Sequence, residues 1–253
     1  MNTFFLDRLN SEPHALAFAG QSTPWPVALA DQSANPALDE ALHTHAAAAQ
    51  ALLYPVSAEL LATTGRPVDL FGFEPNPARL GAAAAASASV PGIALTQLGA
   101  LLDAAALGYN PAQAKPVAVL GHSQGVLAVH MVQAICEAGS IDAAAAKIDE
   151  ILAIATLIGV AGTRQARQLG LAARHGEATP MLSVKDITRA QVDALIERVD
   201  GARGPIAVAV TNSATHYVLS GYPEDLAAFG VEVAKEHKRQ AKLREEKVRG
   251  GRV

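Results

Sequence analysis

The segment Gly121-His122-Ser123-Gln124-Gly125 sets one hydroxyl nucleophile between two glycines. It lies between the apolar run Pro116–Leu120 and a second apolar run that starts at Val126. Small flanking residues let the chain turn sharply, so the serine can stand on a strained strand-to-helix elbow. Its hydroxyl would then sit at the carboxyl end of a parallel strand, where open α/β sheets bind ligands. A helix starting there has backbone N–H groups with no intrahelical acceptor, and that of Gln124 is placed to donate to an oxyanion. The matching chemistry is acyl transfer through a serine ester. The bare pattern G-x-S-x-G arises by chance in roughly one chain in twelve of this length, so its setting carries the reading. The competing reading is a tight turn with an inert serine.

The flanks must therefore be strand and helix. "PVAVL" (Pro116–Leu120) is β-rich and apolar throughout, as expected of a central parallel strand buried on both faces. "VLAVHMVQAICEAG" has helical length and ends at Gly139, and a further helix covers roughly Ile141 to Gln168. Upstream, "ALAFAGQ" reads as a first buried strand ending at Gly20, and "STPWPVALADQ" as a loop broken by Pro24 and Pro26. A helical spacing runs from Pro36 to about Ala62. Pro91 opens another helix, which Gly108 closes. This is an α/β pattern.

The last third changes character. "PMLSV" is a strand, and "TRAQVDALIERV" is a helix opened by a Thr188/Gln191 capping box. "PIAVAVTNS" and "THYVLSGY" form a hairpin, and "PEDLAAFGVEVAKEHKRQ" is a helix. The order β-α-β-β-α is a ferredoxin-like unit lacking its last strand. The charged end, "KLREEKVRGGRV", has no strand pattern; it reads as an internal connection or a solvated helix. The division expected is 1–178 for the α/β core and 179–253 for the incomplete subdomain.

The net charge of −4 gives no general attraction to nucleic acid or anionic membrane. Cys136 is the single cysteine, so no internal disulfide can form, and a reducing compartment fits. The N-terminus lacks a signal-peptide pattern, and the apolar run Ile151–Gly162 is too short to span a bilayer. A cytoplasmic protein without nucleic-acid or membrane partners is expected.

Three stretches together resemble the acyltransferase domain of fatty acid and polyketide synthases. The closer likeness is to the acetyltransferase domain of type I fatty acid synthases of fungi and mycolic-acid bacteria. They are "FAGQS" (Phe18–Ser22), "GHSQG", and the pair "TPMLSVKDITRAQVDALI" and "VTNSATHYVLSGYPEDL". The resemblance implies a hydrolase-like parallel-sheet core carrying an inserted ferredoxin-like subdomain. It further implies that Ser123 accepts an acyl group from acetyl-CoA, or another uncharged short acyl-CoA, and passes it to the phosphopantetheine thiol of an acyl carrier protein. Acetyl-CoA is then a substrate, with no cofactor or metal bound by the domain, and the partners are the carrier protein and other synthase domains. Gln124 and Gln21 would form the oxyanion hole, although Ser22 stands where the family usually has a second glycine. His122, beside the nucleophile, would contact substrate.

Malonyl-transferring members carry an Arg-Gly pair on the helix after the serine, where a guanidinium pairs with the free carboxylate. Here Ile158-Gly159 occupies that place. An apolar residue leaves a carboxylate desolvated and unpaired, so an uncharged acyl group is expected. Otherwise Ile158 is an ordinary core isoleucine. The family's catalytic histidine sits in a segment with no counterpart here. His122 is too close in sequence, and His130 is read as packed in its helix. His14, His43, His45 and His175 fall in loops or on helix surfaces, while His216 and His237 fall in the subdomain. An N-terminal fragment of a longer polypeptide is therefore expected. The alternatives are an α/β-hydrolase-type serine esterase or thioesterase and an inactive fragment with an assembly role. The esterase needs an acid and a histidine among further strands of the main sheet, where this chain instead turns to a small α+β unit.

Overall fold

Trp25, Leu29, Leu42, Ile93, Leu98, Met131, Ile135, Ile148 and Leu152 gather in one buried cluster, in a computed structural model of the chain. Val184, Leu195, Tyr217, Leu219, Leu226 and Phe229 gather in another. The structure describes residues 8–20, 24–53, 70–71, 86–168, 180–199 and 203–250. Its contacts divide the chain into two units, Met1–Gln165 and Ala166–Val253.

In the first unit, β1 (Ala15–Phe18) runs parallel to β2 (Ala118–Gly121), in register from Ala15↔Ala118 to Phe18↔Gly121. Between them come α1 (Trp25–Ser33), α2 (Pro36–Leu53), α3 (Ala86–Ala106) and the single turn α4 (Pro111–Ala114). After β2 come a 3-10 turn (Ser123–Gly125), α5 (Val126–Ala138) and α6 (Ala145–Gln168). Parallel strands need such a long crossover, and helices supply it. The central helix is α3, which packs against α1, α2, α5 and the 3-10 turn. It is buried from Ser87 to Gly99. Its length and apolar composition match those of a membrane-crossing helix, but most of it is enclosed in this unit as a core helix. A Cβ on Gly92 would meet the Trp25 ring at 2.5 Å, so the glycine sets how closely α1 and α3 cross. Gly139, at φ +89°, ends α5 by donating its N–H to Ile135 O at 2.8 Å.

Three sequence readings do not hold. Pro24 and Pro26 do not break a loop: α1 starts at Trp25, with Pro26 in its first turn, where the missing N–H has no intrahelical acceptor to lose. Pro91 lies inside α3, which begins at Ala86; a proline sixth in the helix costs one backbone bond, and the surrounding packing offsets it. β2 is not buried on both faces, since Leu120 is 60% exposed and β1 is its only strand partner among the described residues. The charged end takes the solvated-helix form of its two readings: it continues the last helix to Gly250, with residues 241–246 exposed. The part of the expected second helix beyond Leu53 falls outside the described residues.

The second unit has β3 (Met181–Lys185), α7 (Arg189–Val199), β4 (Ala207–Ser213), β5 (His216–Ser220) and α8 (Pro223–Gly250). The strands form an antiparallel sheet in the order β3-β5-β4. Alternate residues Leu182 and Val184 of β3 lie opposite Leu219 and Tyr217 of β5, and pack with α7 and α8. The capping box is formed: Thr188 N–H donates to Gln191 Oε1 at 2.9 Å, and Gln191 N–H to Thr188 Oγ1 at 3.4 Å. Among the described residues no strand follows α8.

Candidate active site

Pairing of β1 with β2 brings two loops together, although about a hundred residues of chain separate them. The His122 N–H donates to Phe18 O at 3.0 Å, which carries the ladder one residue past the strands. The next residue, Ser123, adopts φ +54°. A side chain with a Cβ rarely takes this conformation, and holding it costs on the order of 1–3 kcal/mol. Gly125 N–H then bonds His122 O at 2.9 Å, and Val126 N–H reaches the Ser123 and Gln124 carbonyls as α5 begins.

Three glycines make this geometry possible. A Cβ on Gly121 would fall 2.5 Å from Val126 N. On Gly125 it would collide with Phe18 O and lie 2.9 Å from Ala19 O. On Gly20 it would lie 2.6 Å from His122 O and 2.8 Å from Ser123 Cβ. The two motif glycines therefore admit the turn and the neighbouring strand end, while Gly20 admits the serine.

Ser123 is exposed, and among the described residues its hydroxyl makes no hydrogen bond. Gln124 is partly buried, and its backbone nitrogen lies 3.4 Å from the position a Gly20 Cβ would take. Sitting in the first turn, its N–H has no earlier intrahelical carbonyl to bond. Gln21 and Ser22 lie outside the described residues. His122 is exposed, with extended backbone (φ −93°).

Ile158 is on α6 and 53% exposed, in a stripe with Ile154 and Leu157, so it is not an ordinary core isoleucine. The opposite side of α6 docks on the start of α3. Gly159 sits against the Ala86 carbonyl, and Thr163 Oγ1 accepts the Ser87 N–H at 2.9 Å.

Several histidines are engaged elsewhere. His14 bonds Glu12 O and Tyr109 OH, at 3.0 and 2.8 Å. His45 Nδ1 lies 2.7 Å from Asp149 Oδ1, and His43 stacks on Phe71. His216 Nε2 is 2.9 Å from Ser183 Oγ in the second unit, which also holds His237. His130 is exposed on α5, not packed, because positions 128, 131, 132 and 135 take the inward face. His175 lies outside the described residues. Among the described residues no three His, Cys, Asp or Glu side chains converge as a metal site.

One residue at this site escaped sequence reasoning. Gln97, in the middle of α3 and 7% exposed, donates from Nε2 to Ala19 O at 2.5 Å. Its only mark in the sequence is an amide, next to Thr96, inside a largely apolar helical run.

Residues 74–247 match the family described as "Starter unit:ACP transacylase in aflatoxin biosynthesis". An alignment 128 positions long, covering 46% of this chain, is 30% identical to the fatty acid synthase beta subunit hexB of Dothistroma septosporum and covers 7% of that protein. Among solved structures, the malonyl CoA-acyl carrier protein transacylase (fabD) from Coxiella burnetii superimposes with a TM-score of 0.52 at 18% identity, over 89% of this chain and 58% of that one. A type II PKS malonyl-transacylase, solved with its acyl-carrier protein (PlMCAT:AntF), gives 0.51 at 17% identity, over 89% and 60%. The chain thus spans about three-fifths of these structures and a small part of the synthase subunit. The likeness establishes the acyltransferase fold that the sequence motifs led us to expect.

Proposed function

The chain belongs to the starter unit:ACP transacylase family, and on that premise we propose that it carries acyl groups from coenzyme A to an acyl carrier protein through Ser123. The Ser123 oxygen attacks the thioester carbonyl, its proton passes to a base, and the coenzyme A thiolate leaves. The phosphopantetheine thiol of the carrier protein then attacks the ester and regenerates the serine. The observation that carries this reading is the Ser123 backbone at φ +54°, on a strand–turn–helix closed by three glycines. Such strain is kept where the geometry serves a purpose.

The finer roles extend the proposal. The Gln124 N–H, with the loop bearing Gln21, receives the oxyanion, and His122 borders the substrate. The base is a group other than the histidines already engaged, such as one on chain beyond the described residues. The acyl group is acetyl or another short uncharged one, because Ile158 presents no cation to a free carboxylate. Acetyl-CoA is then a substrate rather than a resident cofactor. The partners are a carrier protein and other fatty acid synthase domains, in the cytoplasm.

Mass measurement of acyl-Ser123 after loading with acetyl-CoA or malonyl-CoA tests this selectivity. Acetyl should exceed malonyl, and Ile158→Arg should shift the ratio toward malonyl by about 10- to 100-fold, the worth of one charge-assisted hydrogen bond. A ratio that does not move removes Ile158 from specificity. A wild-type preference for malonyl rejects the acetyl assignment.

A further inference from the structure

Gln97 stands in the most enclosed part of α3, beside Ile93, Leu95 and Leu98, none of which is measurably exposed. An apolar side chain would fill this position without burying an unpaired acceptor. Instead the amide donates to Ala19 O, while its own Oε1 is buried with no hydrogen-bond partner among the described residues. A buried acceptor left unmade is costly. The residue therefore makes poor sense as core filling and good sense as a donor.

The bond it makes lies one residue from Gly20, which backs on to Ser123. Ala19 and Gly20 share a planar trans peptide, so fixing the Ala19 carbonyl fixes the plane in which Gly20 begins. Gly20 leaves no room for a Cβ beside Ser123 Cβ and His122 O. Glycine is also the residue at which a peptide plane rotates most freely. On the other side, Ala19 O borders Gly125, the last residue of the turn.

We propose that Gln97 is a positioning residue for the acyl transfer. It clamps the Ala19–Gly20 peptide, so that Gly20 stays against Ser123 and holds the serine in its strained conformation. Gln97 touches no reacting atom and acts through Ala19, Gly20 and the elbow. The catalytic part of this inference rests on the transfer reading above; the clamp does not.

The test compares wild type with Gln97→Met, which removes the donor and the unpaired acceptor at similar volume, and with Gln97→Asn, whose amide is one methylene too short to reach. Amide hydrogen exchange of the segments around Gly20 and Ser123 reads the clamp without any acyl transfer. Formation of acyl-Ser123 over a range of acetyl-CoA concentrations reads catalysis.

Both variants should speed exchange in those two segments alone and leave the melting temperature of Gln97→Met unchanged or higher. They should slow acylation at saturating acetyl-CoA by about 10- to 100-fold, the scale of a small misplacement of a reacting group. The half-saturating concentration should stay constant. Unchanged exchange and rate overturn the proposal. So does a fall in stability with faster exchange throughout the unit, which would make Gln97 a plain core residue. Localised exchange in a protein whose wild type forms no acyl-serine, even with imidazole as an added base, supports the clamp and rejects the transfer reading instead.

Discussion

Ser123 carries a conformational cost, to which the proposed acyl transfer gives a purpose. A glycine there adopts φ +54° freely, so Ser123→Gly should stabilise the first unit by about 1 kcal/mol while abolishing acylation. Denaturant melts and mass measurement on one preparation check both halves. A variant no more stable than wild type would mean that the elbow is not strained. At this scale much of the site was legible. The two glycines of "GHSQG" announced a sharp turn, and each now has a steric reason in the backbone atoms it admits. Gly20 and Gln97 were not legible in the same way. Their roles come from contacts with residues 103 and 78 positions away, Ser123 and Ala19 respectively, which no local spacing displays.

Among the elements, local signals were reliable where a few neighbouring side chains decide the backbone. The Thr188/Gln191 capping box opens α7 as read, and Gly139 closes α5. Proline signals failed where helix position or packing overrode them, as at Pro26 and Pro91. The last helix yields a prediction of its own. Glu236 of α8 is buried and accepts hydrogen bonds from Arg239, Gln240 and Gln191 of α7. The Arg239 bonds, with smaller help from the two glutamines, overcome burial and hold its carboxyl at about 2, below its usual 4.5. A carboxyl lowered on folding adds stability above its unfolded value and loses it as pH falls through the folded one. Glu236→Gln should therefore destabilise the second unit at pH 7 by roughly 1 kcal/mol, a modest figure because the Arg239 side chain is largely exposed. The gap should narrow between pH 4.5 and 2. Urea titrations at pH 7 and pH 3 check this, and a gap independent of pH would contradict it.

At the scale of the whole molecule, two units with separate cores divide the chain, and Ser123 belongs to the first. The α/β pattern and the order β-α-β-β-α were both visible in the spacing of apolar residues, since each unit buries its own faces. The sequence misread β2 as fully buried because five apolar residues in a row show what a strand could bury, not what covers it. The account turns on one claim, that Ser123 carries the acyl group. The direct measurement is mass mapping of the chain after incubation with acetyl-CoA, with and without imidazole as an added base. The account predicts a hydroxylamine-labile acetyl ester on Ser123, increased by imidazole and absent from Ser123→Ala. Acetylation at another residue, or none on Ser123 under either condition, would contradict it.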